Sequence, residues 1–167
     1  MGKRSVTQLD LNGQRVFIRV DFNVPIEAGK VSDDTRLRAA LPTIRLVLKK
    51  GATVIVLGSH LGRPKGRPVP EMSLKPVATC LATLLEQPVI FAKDCIGDSA
   101  KRTVKDAPQN SVVLLENLRF HRGEEQNDPA FAKQLATLAD AYINDAFGVA
   151  HRTHASVEAL VHLLPVV

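Results

Sequence analysis

The chain has 167 residues, of which 45% are hydrophobic and 23% charged, as in globular proteins rather than disordered or fibrous ones. No apolar run approaches the ~20 residues that cross a bilayer, and the first residues lack the apolar stretch of a signal peptide. The net charge is +5, but the basic residues are scattered and aromatic residues make up only 4%. Nucleic-acid-binding surfaces usually combine a basic stripe with aromatic residues, so we expect neither a membrane nor a nucleic acid as partner.

Two cysteines, Cys80 and Cys95, stand in no paired spacing. Because the chain is rich in core-forming residues and shows no secretion signal, we expect both thiols to be reduced and structural. The cytoplasm is the compartment that this interpretation predicts.

Strands and helices are predicted to alternate along the chain. The predicted strands are short apolar runs rich in β-branched residues, and the predicted helices carry apolar residues at a period near 3.6. In chain order the elements are a strand at 15–21, a helix at 34–50, a strand at 53–59, a helix at 73–86, a strand at 89–93, a weaker helix at 97–105, a strand at 111–117, a helix that begins at Asp128 and Pro129, a strand at 141–146 and a helix at 153–163.

The helix boundaries carry capping signals. Asp33 and Asp34 precede the first helix, where negative charge suits the helix dipole, and Gly51 follows it. Ser73 and Asp128 are the expected N-caps of two later helices. Several strand runs are apolar at successive positions, so both faces of the sheet should be covered. We predict an α/β fold, in which helices flank a parallel sheet on both faces in a three-layer, Rossmann-like single domain.

Polar residues follow four of the predicted strands. In open α/β sheets ligands bind at the carboxyl ends of the strands, so these residues should share one edge. Asp21 and Asn23 follow the first strand, and Arg36 lies in the first turn of the helix that returns from that edge. The later strands are followed by His60, Arg63, Arg119 and Arg152.

The four arginines predict an anion site. Guanidinium groups at one edge repel one another unless an anion lies among them, and the arginine fork matches phosphate and carboxylate oxygens. With Asp21 and Asn23 available to a hydroxyl group, the set suits a phosphorylated hydroxy acid. Each residue alone has a plainer interpretation: a single arginine is usually a solvated surface residue, Asp21 could cap a turn, and His60 could be a hydrogen-bonded loop residue.

Other patterns in the sequence are weaker. His151 and His154 could share one helical face as metal ligands, but no third ligand is evident, and we expect no metal site. Glu124 and Glu125 are expected to form a solvated acidic turn. The glycines around residues 58–66 match no phosphate-binding loop motif, so no nucleotide site is expected in this chain.

Five segments resemble the phosphoglycerate kinase family, in the family's order and along nearly the whole chain. They are RVDFNVP at 19–25, DDTRLRAALPTI at 33–44, SHLGRPKG at 59–66, LLENLRF at 114–120 and NDAFGVAHR at 144–152. The resemblance implies a monomeric glycolytic enzyme that transfers a phosphoryl group between 1,3-bisphosphoglycerate and ADP, giving 3-phosphoglycerate and ATP.

The resemblance also implies roles for the residues at the strand ends. The 3-phosphate of 3-phosphoglycerate would be bound by Arg63, Arg119 and Arg152. Asp21 and Asn23 would face the hydroxyl and carboxyl end of the same molecule.

Arg36 is the implied catalytic residue, nearest to the phosphoryl group that is transferred. The implied substrate-binding set is completed by Phe22, His60, Leu61 and Gly62.

Members of the family have two domains, and the resemblance implies that residues 1–167 form the N-terminal, 3-phosphoglycerate-binding domain. Mg-ATP or Mg-ADP would be bound by the C-terminal domain, which is absent here, so we expect no cofactor in this chain and no activity of the chain alone. The apolar end at 164–167 is the pattern expected of truncation within a longer protein. Two alternatives stay open: a stand-alone anion-binding module, and a nucleic-acid binder, which the positive charge permits.

Overall fold

A five-stranded parallel sheet forms the centre of the molecule in the computed structural model, which describes residues 6–8 and 10–166. Residues 1–5 and Val167, on which the expectations about targeting and truncation partly depend, lie outside the described part. The strands in chain order are β1 (Arg15–Val20), β2 (Ile26–Glu27), β3 (Lys30–Val31), β4 (Val54–Gly58), β5 (Val89–Ala92), β6 (Ser111–Leu115) and β7 (Ala141–Asp145).

The parallel sheet has the strand order β5-β6-β4-β1-β7, and β2 and β3 form a separate antiparallel hairpin. Strand β1 pairs with β4 on one side, Phe17 opposite Val56, and with β7 on the other, Phe17 opposite Tyr142. All five strands of the sheet therefore point their carboxyl ends to the same edge, as predicted.

Within 10–166, five α-helices connect the strands. They are α1 (Thr35–Lys49), α2 (Lys75–Leu85), α3 (Gly97–Asp106), α4 (Arg122–Glu125) and α5 (Pro129–Ala136). Asp128 caps α5 as predicted, because its side chain accepts a hydrogen bond from Ala130 N at 3.0 Å. The predicted N-cap Ser73 lies one residue too early, since the residue preceding α2 is Leu74, although Ser73 Oγ accepts from Lys75 N at 3.2 Å.

The sheet has a separate apolar core on each face, which confirms the predicted three-layer α/β fold. Alternate β1 residues Val16 and Ile18 face a cluster that contains the apolar stripes of α1 and α2. Phe17, between them, faces a second cluster with the apolar residues of α3 and α5. Side chains of a strand alternate between faces, so a strand with helices on both sides must be apolar at successive positions.

The predicted helix at 153–163 is wrong. This segment consists of turns and one short 3-10 helix, Ala159–His162. Two N–H groups near its start donate outside the segment: Ala155 N donates to Glu124 O at 2.8 Å, and Ser156 N donates to Glu124 Oε1 at 2.7 Å. Those contacts hold the chain in an irregular path that the apolar pattern did not indicate.

The interpretation of Glu124 as part of a solvated acidic turn is also wrong, because Glu124 is fully buried in α4. Neither α4 itself nor the β2–β3 hairpin was predicted from the sequence, since each contains only a few residues. Among the described residues, no helix is long and apolar enough to cross a membrane.

Candidate anion-binding site

The polar residues singled out from the sequence lie at or beyond the carboxyl ends of the parallel strands. Asp21 and Asn23 follow β1, His60 follows β4, Arg119 lies in a 3-10 helix after β6, and Arg152 follows β7. Arg36 lies in the first turn of α1, which begins at that edge. The topology of the sheet thus brings segments far apart in sequence to a common rim.

Asp21, Asn23 and Arg36 form the first half of the rim. Arg36 Nη1 donates to both carboxylate oxygens of Asp21, at 3.0 and 3.1 Å, and to Asn23 O at 3.0 Å. Asn23 N donates in turn to Asp21 Oδ1 at 3.1 Å. These contacts fix the turn after β1 against the start of α1 while Arg36 itself stays exposed.

A cavity of about 240 Å³ lies beside this ion pair, between the start of α1 and the end of β7. Its lining includes Asp21, Arg36, Asp145 and Gly148. Burial raises the pKa of Asp145, and a hydrogen bond with Thr43 partly opposes that shift. The cavity therefore combines one exposed guanidinium with carboxylate groups.

The loop after β4 connects the first half of the rim to the second. Gly62 N donates to Asn23 Oδ1 at 3.0 Å, and Gly62 O accepts from Arg119 Nη1 at 3.3 Å. Gly62 has a φ of +63°, a conformation that suits glycine and lets its backbone face both neighbours. Leu61 and Phe22 are buried and fix the two loops, since Leu61 O accepts from Asn117 Nδ2 at 2.8 Å and Phe22 N donates to Ser59 Oγ at 2.9 Å.

Arg119 lies in the second half of the rim, beyond Gly62. It is only 5% exposed, yet its Nε and Nη2 are buried with no hydrogen-bond partner among the described residues. Burial lowers the pKa of Arg119, and the neighbouring charges of Arg152 and Arg19 act in the same direction. A buried donor without an acceptor is costly, and an anion would satisfy both N–H groups.

His60 lies next to Arg119 in a strongly positive environment. It is nearly buried, and its Nδ1 is 3.0 Å from Nη2 of the fully buried Arg19. Burial, followed by the charges of Arg19, Arg119, Arg152 and His154, lowers the pKa of His60 to about 2. The imidazole is therefore neutral at physiological pH.

Arg63 and Arg152 are both exposed at the rim. Arg152 is near enough to Arg119 and His60 for its charge to lower the pKa of each. Arg63 has no hydrogen bond or ion pair through its side chain within 10–166, so the structure does not join it to the other residues of the set. Its place in the site stays a prediction.

The sequence model of the family described as phosphoglycerate kinase matches residues 6–167. The chain belongs to the phosphoglycerate kinase family.

Curated phosphoglycerate kinases are close relatives of this chain over part of their length. The protein from Caulobacter sp. strain K31 is 57% identical over 162 residues, which cover 97% of this chain and 41% of the relative. That from Moorella thermoacetica is 55% identical over 165 residues, 99% of this chain and 42% of the relative. The chain thus spans about two fifths of the length of the phosphoglycerate kinases that it matches.

Solved phosphoglycerate kinase structures share the fold. The structure from Coxiella burnetii gives a TM-score of 0.84 at 36% identity, covering 99% of this chain and 40% of that one. The structure from Pyrococcus horikoshii OT3 gives 0.87 at 32% identity, with 100% and 42% covered. The three-layer architecture is therefore that of the corresponding part of a phosphoglycerate kinase.

Three residues near the second half of the rim were not assigned to it from the sequence. Arg19 lies within the predicted first strand. A charged residue in that apolar run was the signal that could have indicated a polar role for it. His154 is buried, with an unpaired Nδ1 among the described residues, and burial lowers its pKa. Glu124 was predicted to be exposed to solvent. The positions of these three depend on contacts between residues distant in sequence.

His151 and His154, considered above as a weak candidate for metal ligands on one helical face, do not share such a face, because that segment is not helical and His151 is exposed while His154 is buried. Within the described part of the chain, one group could hold a metal ion: Asp94, Cys95 and His121, whose ligand atoms lie within 4.8 Å of one another. Burial raises the pKa of the Cys95 thiol well above its usual value, and His121 Nε2 lies 2.7 Å from Asp94 Oδ1. Hydrogen bonding within the protein accounts for the Asp94–His121 contact.

Proposed function

We propose that this chain is the 3-phosphoglycerate-binding domain of a phosphoglycerate kinase, residues 1–167, and that it binds 3-phosphoglycerate or 1,3-bisphosphoglycerate at the rim described above. The whole enzyme would transfer a phosphoryl group between 1,3-bisphosphoglycerate and ADP, in the cytoplasm. Support comes from membership of the family and from the number of cationic and polar groups at one edge of the sheet.

The buried guanidinium of Arg119 carries this proposal. Its two unpaired N–H groups, at Nε and Nη2, need acceptors, and a phosphate group offers several oxygens in the geometry that a guanidinium fork prefers. Arg152 and Arg63, both exposed, would supply further positive charge. Glu125 and Glu124 are the acidic residues whose charges act on Arg119. The carboxylate of Glu124 already accepts hydrogen bonds from Ser156 N and Oγ.

The first half of the rim would orient the rest of the substrate. Asp21 and Asn23 would contact the hydroxyl and carboxyl end, and Arg36 would lie nearest the transferred phosphoryl group. Phosphoryl transfer depends mainly on positioning and on stabilisation of charge in the transition state. A preorganised donor such as Arg36 is typically worth about 3 kcal/mol of that stabilisation.

The nucleotide would be bound outside residues 1–167, by the C-terminal domain as partner, with Mg²⁺ supplying charge neutralisation of the phosphates when bound. Mg²⁺ prefers oxygen ligands in octahedral geometry. The metal-capable group among residues 10–166 offers one carboxylate, one thiol and one imidazole, which does not fit that preference. No step of the proposed binding therefore passes through a metal on this chain.

The proposal is tested by calorimetric titration of the chain with 3-phosphoglycerate, glycerate and inorganic phosphate. We expect 3-phosphoglycerate to bind most tightly, because only it engages both halves of the rim. Arg63→Ala and Arg152→Ala should each weaken its binding about tenfold or more, the usual effect of losing a hydrogen bond to a charged group.

Arg67→Ala is the matched control, because Arg67 is also exposed but lies beyond the loop, and it should change the affinity little. Equal effects of the Arg63 and Arg67 variants, or no binding at millimolar 3-phosphoglycerate, would contradict the proposed site. In a coupled assay with ADP and 1,3-bisphosphoglycerate the chain alone should form no ATP.

A further inference from the structure

A chain of hydrogen bonds ends on His60. Arg19 is fully buried, and its guanidinium donates from Nε to Ser156 Oγ at 2.9 Å and from Nη1 to Val20 O. Its Nη2 lies 3.0 Å from His60 Nδ1. A guanidinium has donors and no acceptor, so Nδ1 of His60 must be the acceptor, and the neutral ring must carry its proton on Nε2.

Glu124 anchors the other end of this chain. Ser156 Oγ accepts from Arg19, so its own hydrogen is free to be donated, and it is donated to Glu124 Oε2. Ser156 N donates to Glu124 Oε1 at 2.7 Å, and Tyr142 OH donates to Ser156 O at 2.7 Å. Glu124 thus balances the buried charge of Arg19 through Ser156, and Ser156 is held from three sides.

We propose that Arg19, Ser156 and Glu124 are positioning residues that hold His60 as a neutral imidazole with its proton on Nε2, where the ring donates a hydrogen bond to an acidic oxygen of the ligand. The ligand part of this inference rests on the proposed function. The tautomer itself does not, because it follows from the contact with Arg19. None of the three positioning residues needs to touch the ligand.

The charges around His60 support a fixed protonation state. Arg19 faces it from β1, Arg119 from the segment after β6, and Arg152 and His154 from the segment after β7. Burial and these charges keep the ring neutral well below physiological pH. His60 would therefore contribute a donor without a charge, and ligand affinity should show no titration of His60 between pH 5 and 8.

The test of the tautomer is ¹⁵N NMR of the histidine-labelled chain without ligand, with His60 assigned from a His60→Gln spectrum. Long-range ¹H–¹⁵N couplings should show an unprotonated Nδ1 and a protonated Nε2 that stay unchanged from pH 5 to 8. A proton on Nδ1, or a titration of this ring within that range, would overturn the inference whatever the variants do.

The positioning role is tested by Glu124→Gln, which keeps the shape of the side chain and removes its charge. We expect altered His60 ring signals and about tenfold weaker binding of 3-phosphoglycerate. Glu158→Gln, the same change at an exposed glutamate two positions after Ser156, should alter neither. Ser156→Ala tests the same chain of bonds if the first variant is poorly folded by circular dichroism.

The outcomes separate the inference from the proposed function. The expected tautomer with no binding of 3-phosphoglycerate to the unaltered chain would reject the function and keep the positioning of His60. Binding of 3-phosphoglycerate with unchanged His60 signals and unchanged affinity in the folded Glu124 and Ser156 variants would reject the positioning role.

Discussion

Asp140 connects the start of β1 to the start of β7 through one carboxylate. Its Oδ2 accepts from Arg15 N at 3.0 Å and from Arg15 Nε at 3.2 Å, and its Oδ1 accepts from Arg15 Nη2 at 2.9 Å. Hydrogen bonding to the Arg15 side chain is the main cause of a lowered pKa for Asp140, relative to its usual 3.8. Both side chains are more than a third exposed, so solvent reduces the strength of this pair.

The first prediction concerns the pH dependence of this pair. A carboxyl whose pKa is lower in the folded state stabilises the fold above its unfolded value of 3.8, and that contribution is lost as the pH falls through the folded value. A double-mutant cycle with Asp140→Asn and Arg15→Gln, followed by urea denaturation, should give a coupling of about 0.5–1 kcal/mol at pH 7.

The coupling should shrink as the pH is lowered below 3.8, because protonated Asp140 no longer carries the charge. A coupling that is absent at pH 7, or one that grows on acidification, would contradict the role given to this ion pair.

Single residues differ in how far the sequence could predict them. Asp21 and Arg36 were found because each stands at the end of a recognisable strand or helix. Arg19 and Glu124 were not, because the burial of each depends on a contact with Ser156. Ser156 lies 137 positions from Arg19 and 32 positions from Glu124. Periodicity reports on neighbours along the chain and carries no information on such pairs.

At the level of elements, the sheet depends on a close approach between β1 and β4. Gly58 is buried in β4, and a Cβ on it would clash with Cζ of the Phe17 ring. Phe17 also stacks on Tyr142 of β7, with ring centroids 5.9 Å apart. Glycine at position 58 therefore makes room for an aromatic ring on the face that packs against α3 and α5.

The second prediction follows from that contact. Gly58→Ala should lower the free energy of unfolding by about 1–3 kcal/mol, the usual cost of overpacking a well-filled core. Thermal or urea denaturation of Gly58→Ala, Phe17→Leu and the double variant would measure it. The double variant should lose less than the sum of the single ones, since the Phe17→Leu change frees space for the new methyl group; a neutral Gly58→Ala would disprove the close packing.

Regular elements were predictable to within a few residues where the apolar pattern was long. The structure confirms the five strands of the sheet and α1, α2, α3 and α5 from the sequence. The segment 153–163 has the same apolar character but is irregular, because three of its backbone donors are taken from outside: Ala155 N and Ser156 N by Glu124, and Ala159 N by Asn127 Oδ1 at 3.1 Å. Side chains from α4 and the following turn thus override the local preference for a helix.

On the scale of the whole molecule, one edge of a parallel sheet collects loops from four strands and one helix. Hydrogen bonds run continuously from Arg36 through Asp21, Asn23 and Gly62 to Arg119. The direction of the strands made this common edge predictable. The burial of Arg119 and the two unpaired donors on it were not predictable, because they depend on how the loops pack together.

A crystal structure of the chain with 3-phosphoglycerate tests most directly whether this edge binds the phosphate. We expect phosphate oxygens about 3 Å from Nε and Nη2 of Arg119, with the carboxyl end of the ligand towards Asp21 and Asn23. A phosphate bound away from Arg119, or an Arg119 whose two N–H groups are satisfied by protein groups while the ligand lies elsewhere, would contradict the proposal.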